Sequence, residues 1–183
     1  MKRITFPSHR NTRGFTPVEL CVGIGICATL ASQALPAFSR MHQLQTLRAQ
    51  ADALGGDLRL ARSEAARMQA PVFFRVSDKG ANACYLIHTG AKDDCDCAGG
   101  QAVCKAPDAS VVKAVWLNGK VPTQLRSNAE TLQFQHRQGL VTQTGSIEVA
   151  LADGTAVRQV VAITGRTRSC AVGAALGGLP RCA

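Results

Sequence analysis

Aromatic side chains are scarce in this chain, with one Trp, one Tyr and six Phe among 183 residues. Since 46% of the residues are nonetheless hydrophobic, a core built here must be mostly aliphatic. Groupings able to do covalent chemistry are also missing. His42 falls in a helical pattern, His88 and His136 fall in separate strand-like runs, and none sits with a nucleophile and an acid. No glycine-rich phosphate loop occurs. The expectation is a protein that is not an enzyme, with no catalytic residue and no cofactor.

Negative charge is absent at both ends. The first fourteen residues hold Lys2, Arg3, Arg10 and Arg13 and no acid. After Asp153 no acid follows either, but Arg158, Arg166, Arg168 and Arg181 do. The net charge of +9 becomes +5 without those fourteen residues, seventeen basic against twelve acidic. That is a mild preference for polyanions at most. Charge of either sign is missing for nineteen residues, Leu20 to Phe38. As a helix this run spans ~28 Å, close to the hydrocarbon core of a bilayer. Gly23, Gly25, Thr29, Ser32 and Gln33 dilute it, so it suits a protein surface as well as lipid. It does not end in a small-residue cleavage site, because "ALPAFSRM" continues directly into helical sequence, and it is therefore not a secretory signal. Pro17 near its start is compatible with a first helical turn, whereas Pro36 predicts a kink or local unwinding.

A lone glutamate, Glu19, stands at the mouth of the apolar run. A charge inside a spanning segment costs about 2.5–3.5 kcal/mol, so it requires a partner. Further on, Leu44, Leu47, Ala51, Leu54, Leu58, Ala61, Ala65 and Met68 recur at alternating spacings of three and four, one stripe of an amphipathic helix. Arg48, Asp52, Asp57, Arg59, Arg62, Glu64 and Arg67 fall off that stripe. Gly55-Gly56 weakens the helix by about 1 kcal/mol per glycine, and Pro71 ends it. Short β-branched or alternating runs then predict strands at Val72–Ser77, Ala83–Thr89, Ser110–Leu117, Thr131–His136, Ser146–Leu151 and Ala156–Ile163. Few helical stretches intervene, which favours antiparallel pairing and an α+β domain.

Eight cysteines are many for a chain of this length. Cys21 and Cys27 lie in the apolar run, and Cys84, Cys95, Cys97, Cys104, Cys170 and Cys182 remain. Six are compatible with three disulfides in any of fifteen pairings, and hence with an oxidising compartment such as the periplasm. Cys95-x-Cys97 followed by Cys104 lacks a fourth ligand at zinc-finger spacing, with only His88 nearby, so no metal is expected.

The stretch "RGFTPVEL", Arg13 to Leu20, resembles a type IV prepilin signal: a basic leader, Gly, Phe, Thr, then Glu at the fifth position of the processed chain. The resemblance implies cleavage between Gly14 and Phe15 by a prepilin peptidase and N-methylation of Phe15. It also implies that Glu19 neutralises the terminal amine of a neighbouring subunit during assembly. Pro17 departs from the pattern, which usually has a larger aliphatic residue there. Further along, "LARSEAARMQAPVFFRV" (60–76), "LQFQHRQGLV" (132–141), "GSIEVALADG" (145–154) and "AVRQVVAITGRTRSC" (156–170) resemble the GspH/FimT family of pilin-like proteins. The stretch 84–104 departs from that family and reads as a cysteine-rich insertion.

The fold so implied is type IV pilin-like, a long N-terminal helix packed on antiparallel sheets. Its segments would be a leader (1–14), a transmembrane or filament-core helix (15–38), its amphipathic continuation (39–70) and a periplasmic β-rich domain (71–183). The implied function is that of a FimT-like minor pilin in the inner membrane and then in a pilus, with other pilin subunits as partners. The Gly-Arg-x-Arg ending, with Arg166 and Arg168, implies contact with double-stranded DNA in natural transformation. On extended backbone two residues apart project to one side and suit successive phosphates. With no aromatic platform beside them, binding would be to the backbone and salt-sensitive. The residues alone leave open that this pair meets acids on a neighbouring subunit or merely solubilises a strand end. The alternative function is a GspH-like minor pseudopilin of a type II secretion system, working by protein–protein contacts. A membrane-tethered periplasmic protein that never assembles is a third reading. Resemblance to the bonded loop of major pilins pairs Cys170 with Cys182, leaving the other four cysteines to staple 84–104.

Overall fold

A computed structural model describes residues 14, 16–77, 83–97, 99–117, 119, 121–173 and 176–182. The chain divides into two compact units, Met1–Met41 and His42–Ala183. The helix α1 runs from Pro17 to Met68. Thr16 caps it and Pro17 occupies its first position, where the missing N–H costs nothing. It stays helical through Pro36, where a kink or local unwinding is expected, without unwinding there. In the first unit the apolar side chains face solvent on every side: Val18, Leu20, Val22, Ile24, Ile26, Leu30, Leu35, Phe38 and Met41 are all more than half exposed.

Among the described residues the second unit holds ten strands: β1 (Val72–Ser77), β2 (Cys84–His88), β3 (Cys95–Asp96), β4 (Val103–Cys104), β5 (Val111–Trp116), β6 (Thr123–Ser127), β7 (Thr131–Phe134), β8 (Gly145–Leu151), β9 (Ala156–Val161) and β10 (Thr167–Val172). They form one sheet in the order β5-β2-β1-β7, a second in the order β10-β9-β8-β6, and the small hairpin β3-β4. Every pairing between them is antiparallel. This is the expected α+β plan, with β6, β10 and the β3-β4 hairpin added to the runs predicted from sequence.

Both larger sheets pack on one core. Leu47, Ala51, Leu54, Leu58, Ala61 and Ala65 of α1 are buried against Phe74, Ile87, Leu132 and Phe134 of the first sheet and Ile147, Val149, Val157 and Val161 of the second. Full burial of a leucine such as Leu54 contributes about 1.5–3 kcal/mol. The expected stripe is thus the buried face, with Leu44 and Met68 half-buried at its ends.

Asp57 departs from the expectation that it lies off that stripe, being only 5% exposed. Tyr85 Oη donates to its carboxylate at 2.9 Å and Lys113 Nζ at 2.6 Å, both from the first sheet. Burial, and then this carboxylate, raise the Tyr85 pKa and keep the phenol protonated. Gln159 fastens the second sheet to the helix in a similar way. Its buried amide donates to the Ala51 carbonyl at 2.8 Å and accepts from Ser169 Oγ at 2.9 Å. Gly55, the helical residue facing Gln159, lies under that amide.

The stretch 84–104 does not begin as an insertion, because Cys84–His88 is the strand β2, paired on both sides. The added part follows it and folds over the outer face of the first sheet. Disulfides join Cys84 to Cys97 and Cys95 to Cys104. With Leu86 these cysteines form a second small core, against which Ala109, Val111, Ala114 and Trp116 pack. Arg75 on the same face holds Asp93 at 2.7 Å and Glu130 at 2.9 Å. A third disulfide joins Cys170 of β10 to Cys182.

Candidate assembly and polyanion-binding sites

Glu19 is the third residue of α1, and its geometry is local. Its Oε2 accepts hydrogen bonds from Thr16 N at 2.9 Å and Thr16 Oγ1 at 3.0 Å. In return the Glu19 N–H donates to Thr16 Oγ1 at 3.3 Å. This is a capping box, in which the N-cap hydroxyl and the N3 carboxylate satisfy each other's backbone amides. Its signal is in the sequence as Thr16-x-x-Glu19, and reading Glu19 only as an assembly residue passes over it. Both residues are exposed. Gly14 is exposed as well, whereas Phe15 and the leader residues 1–13 lie outside the described residues, and with them the bond expected to be cleaved.

Arg166 and Arg168 flank the start of β10. The preceding turn is a tight one: Gly165 N donates to Ala162 O at 2.8 Å and Ala162 N to Arg166 O at 3.0 Å. A turn of this shape needs a left-handed residue at its third position, and Gly165 has φ 73°. A side chain at Gly165 would also collide with the Gly139 carbonyl. Both arginines are exposed, and neither makes an ion pair among the described residues. The register places Arg168 opposite Val160, and Val160 opposite Ser146, on the outer face of the second sheet. The neighbouring row on that face is Cys170, Arg158, Glu148 and Arg126. There Glu148 is occupied by Arg158, and Arg126 donates to Gln124 at 2.8 Å.

The thiols of the Cys95-x-Cys97 pattern are consumed by disulfides, together with those of Cys84 and Cys104. His88 is fully buried beside them. It stacks on Phe73 with ring centroids 5.4 Å apart, and its Nδ1 lies 3.0 Å from the Thr89 carbonyl. Burial lowers its pKa, outweighing the bond to Thr89 that favours the charged form. His136 is half-buried in the loop after β7, and His42 is exposed on α1, so the three histidines remain apart.

A long helix with an exposed apolar first half and a second half laid on two antiparallel sheets is the build of a pilin-like subunit. The solved type IV minor pilin FimU of Pseudomonas aeruginosa has this fold. Its crystal structure superposes with a TM-score of 0.51 at 15% sequence identity, covering 68% of this chain and 87% of that one. A second crystal form of FimU gives 0.47 at 14% identity, covering 67% and 91%. None of the curated proteins compared with the chain matches it in sequence. The family model described as "Type II transport protein GspH" matches residues 50–165, more than half of the sequence. The chain belongs to this GspH family of pilin-like structural subunits. The matched stretch ends one residue before Arg166.

Proposed function

We propose that this protein is a minor pilin of the FimT kind. In this reading a prepilin peptidase cuts between Gly14 and Phe15 and methylates Phe15. Residues 15–38 hold the subunit in the inner membrane, and 71–183 form its periplasmic domain. Glu19 then trades the Thr16 donors for the terminal amine of an adjacent pilin as the subunit enters a pilus. A carboxylate in low dielectric needs such an opposite charge. Arg166 and Arg168 would contact the backbone of double-stranded DNA during natural transformation. The observation carrying this last part is the pair itself, exposed and without an ion pair among the described residues, beside a turn shaped by Gly165.

The family description supports a second reading, a pseudopilin of a type II secretion system acting through protein contacts. The two share processing and assembly and differ in phenotype. Deleting the gene should abolish DNA uptake and leave protein secretion intact if the first holds, and the reverse if the second does. Glu19→Ala should remove the subunit from sheared surface fibres in either case. Undiminished incorporation of that variant would overturn the assembly role. For DNA, the full chain in detergent micelles should bind duplex, and Arg166→Ala/Arg168→Ala should lower both affinity and its salt dependence. No change on that double substitution would remove the DNA role.

A further inference from the structure

Three elements distant in sequence converge at the turn before Arg166. The loop after β7 reaches it through Val141 N, which donates to Ile163 O at 2.9 Å. Within that loop Gly139 N donates to Gln135 O at 3.1 Å, and Gly139 has φ 60°. The third element is α1, which contributes Arg62. Its guanidinium passes between the two glycines. A Cβ at Gly139 would stand 2.6 Å from Arg62 Nε and 3.1 Å from Nη2. A Cβ at Gly165 would stand 3.1 Å from the same Nε and 3.2 Å from Cδ. A side chain at Gly139 would push the arginine away, and one at Gly165 would meet the Gly139 carbonyl first and crowd the arginine.

The two glycines thus leave room for this long side chain to lie beside the backbone. Arg62 is exposed and makes no ion pair among the described residues. The carboxylates of the helix around it are engaged elsewhere, Glu64 with Arg67 at 2.6 Å and Asp57 with Lys113 at 2.6 Å. The loop and turn that cradle it, residues 135–141 and 162–168, contain no acid and add Arg137, Arg166 and Arg168. A cation lying beside backbone, next to other cations and with no ion pair among the described residues, suits an anion supplied from outside. The fork of a guanidinium favours phosphate oxygens in particular.

We infer that Arg62 is a third arginine of the duplex-binding surface, supplied by the helix and held by the Gly139–Gly165 cradle so that it meets a backbone phosphate beside those met by Arg166 and Arg168. The inference rests on the DNA reading above. A purely structural role, propping the turn, is the competing account, and the salt dependence of binding separates the two. Each phosphate neutralised contributes about 0.9 to the slope of log affinity against log salt on duplex DNA.

The experiment uses the full chain in detergent micelles and a labelled random-sequence duplex, titrated across a range of salt concentrations. Arg62→Gln retains a polar planar end in the cradle but no charge. It should weaken binding about tenfold and lower the slope by about one, while Arg62→Lys keeps the slope. If Arg62→Gln melts lower than the parent, binding is read below both transitions. An unchanged slope for Arg62→Gln, with binding lost on Arg166→Ala/Arg168→Ala, overturns the role of Arg62 and leaves the DNA reading standing. A parent chain that binds no duplex overturns both.

Discussion

On the sheet β5-β2-β1-β7, strand β2 is buried at all five positions, whereas on β10-β9-β8-β6, strand β6 alternates buried with exposed residues. Both sheets lay one face on the same helix and core. The outer face of the first is roofed by a disulfide-bonded segment with its own small core. Among the described residues the strands on the outer face of the second present Arg126, Arg158 and Arg168, and Glu148 there is paired with Arg158. Cover on one side and exposed arginines on the other put the disulfide-bonded core and, in the DNA reading, the polyanion contacts in different halves of the domain. A substitution under the roof should change melting and leave polyanion binding alone, and one on the open face should do the opposite.

The largest effect is expected from the roof. Removing the Cys84–Cys97 bridge as Cys84→Ser/Cys97→Ser opens a loop with a sequence separation of 13. A loop near that size is worth about 3 kcal/mol in the chain-entropy model. The melting temperature should fall by about 10 °C in calorimetry, with duplex binding unchanged at temperatures where the variant is folded. Loss of binding in parallel with loss of stability would mean that the two faces are not independent.

A smaller effect comes from His88 beneath the same roof. Because burial lowers its folded pKa from 6.5, the unfolded chain binds the proton more readily. Stability should therefore fall as the pH drops through about 6.5 towards the lowered folded value, by at most about 1.4 kcal/mol per pH unit for this one proton. His88→Asn keeps a donor for the Thr89 carbonyl and should flatten the profile in that window. Identical profiles for parent and variant would show that His88 is not protonated on unfolding there. The smallest change in stability belongs to the open face, where Arg168→Ala should shift unfolding in denaturant by less than about 0.5 kcal/mol.

Much of this was legible in the residues, and the gaps have physical causes. Val72–Ser77 announces β1 because its β-branched and aromatic residues suit a pleated surface. β6, with the sequence TQLRS, shows a single large apolar side chain, Leu125, and so passes for loop. β10 is hidden by its single arginine, Arg168, which with Arg166 just before it draws attention as a basic ending rather than as the open face of an edge strand. Asp57 looks like a solvated charge on a helical wheel, since its partners Tyr85 and Lys113 come from strands no helical period can report. The place of Arg62 needed the fold, because the glycines that hold it belong to two separate turns. The cysteine count announced disulfides, but only folding brings Cys97 back to Cys84 while Cys95 bonds across its own hairpin.

The two donors that Thr16 supplies to Glu19 bear on how a proposed filament of such subunits would come apart. An isolated subunit does not hold a bare carboxylate in waiting, because its own first helical turn already neutralises much of that group's demand. Joining a neighbour then exchanges one set of partners for another, and the net gain is the difference between them. In the proposed assembly both hydrogen bonds are forfeited on entry and recovered on departure. In that reading a subunit that leaves the fibre would re-form its cap and be ready for use again.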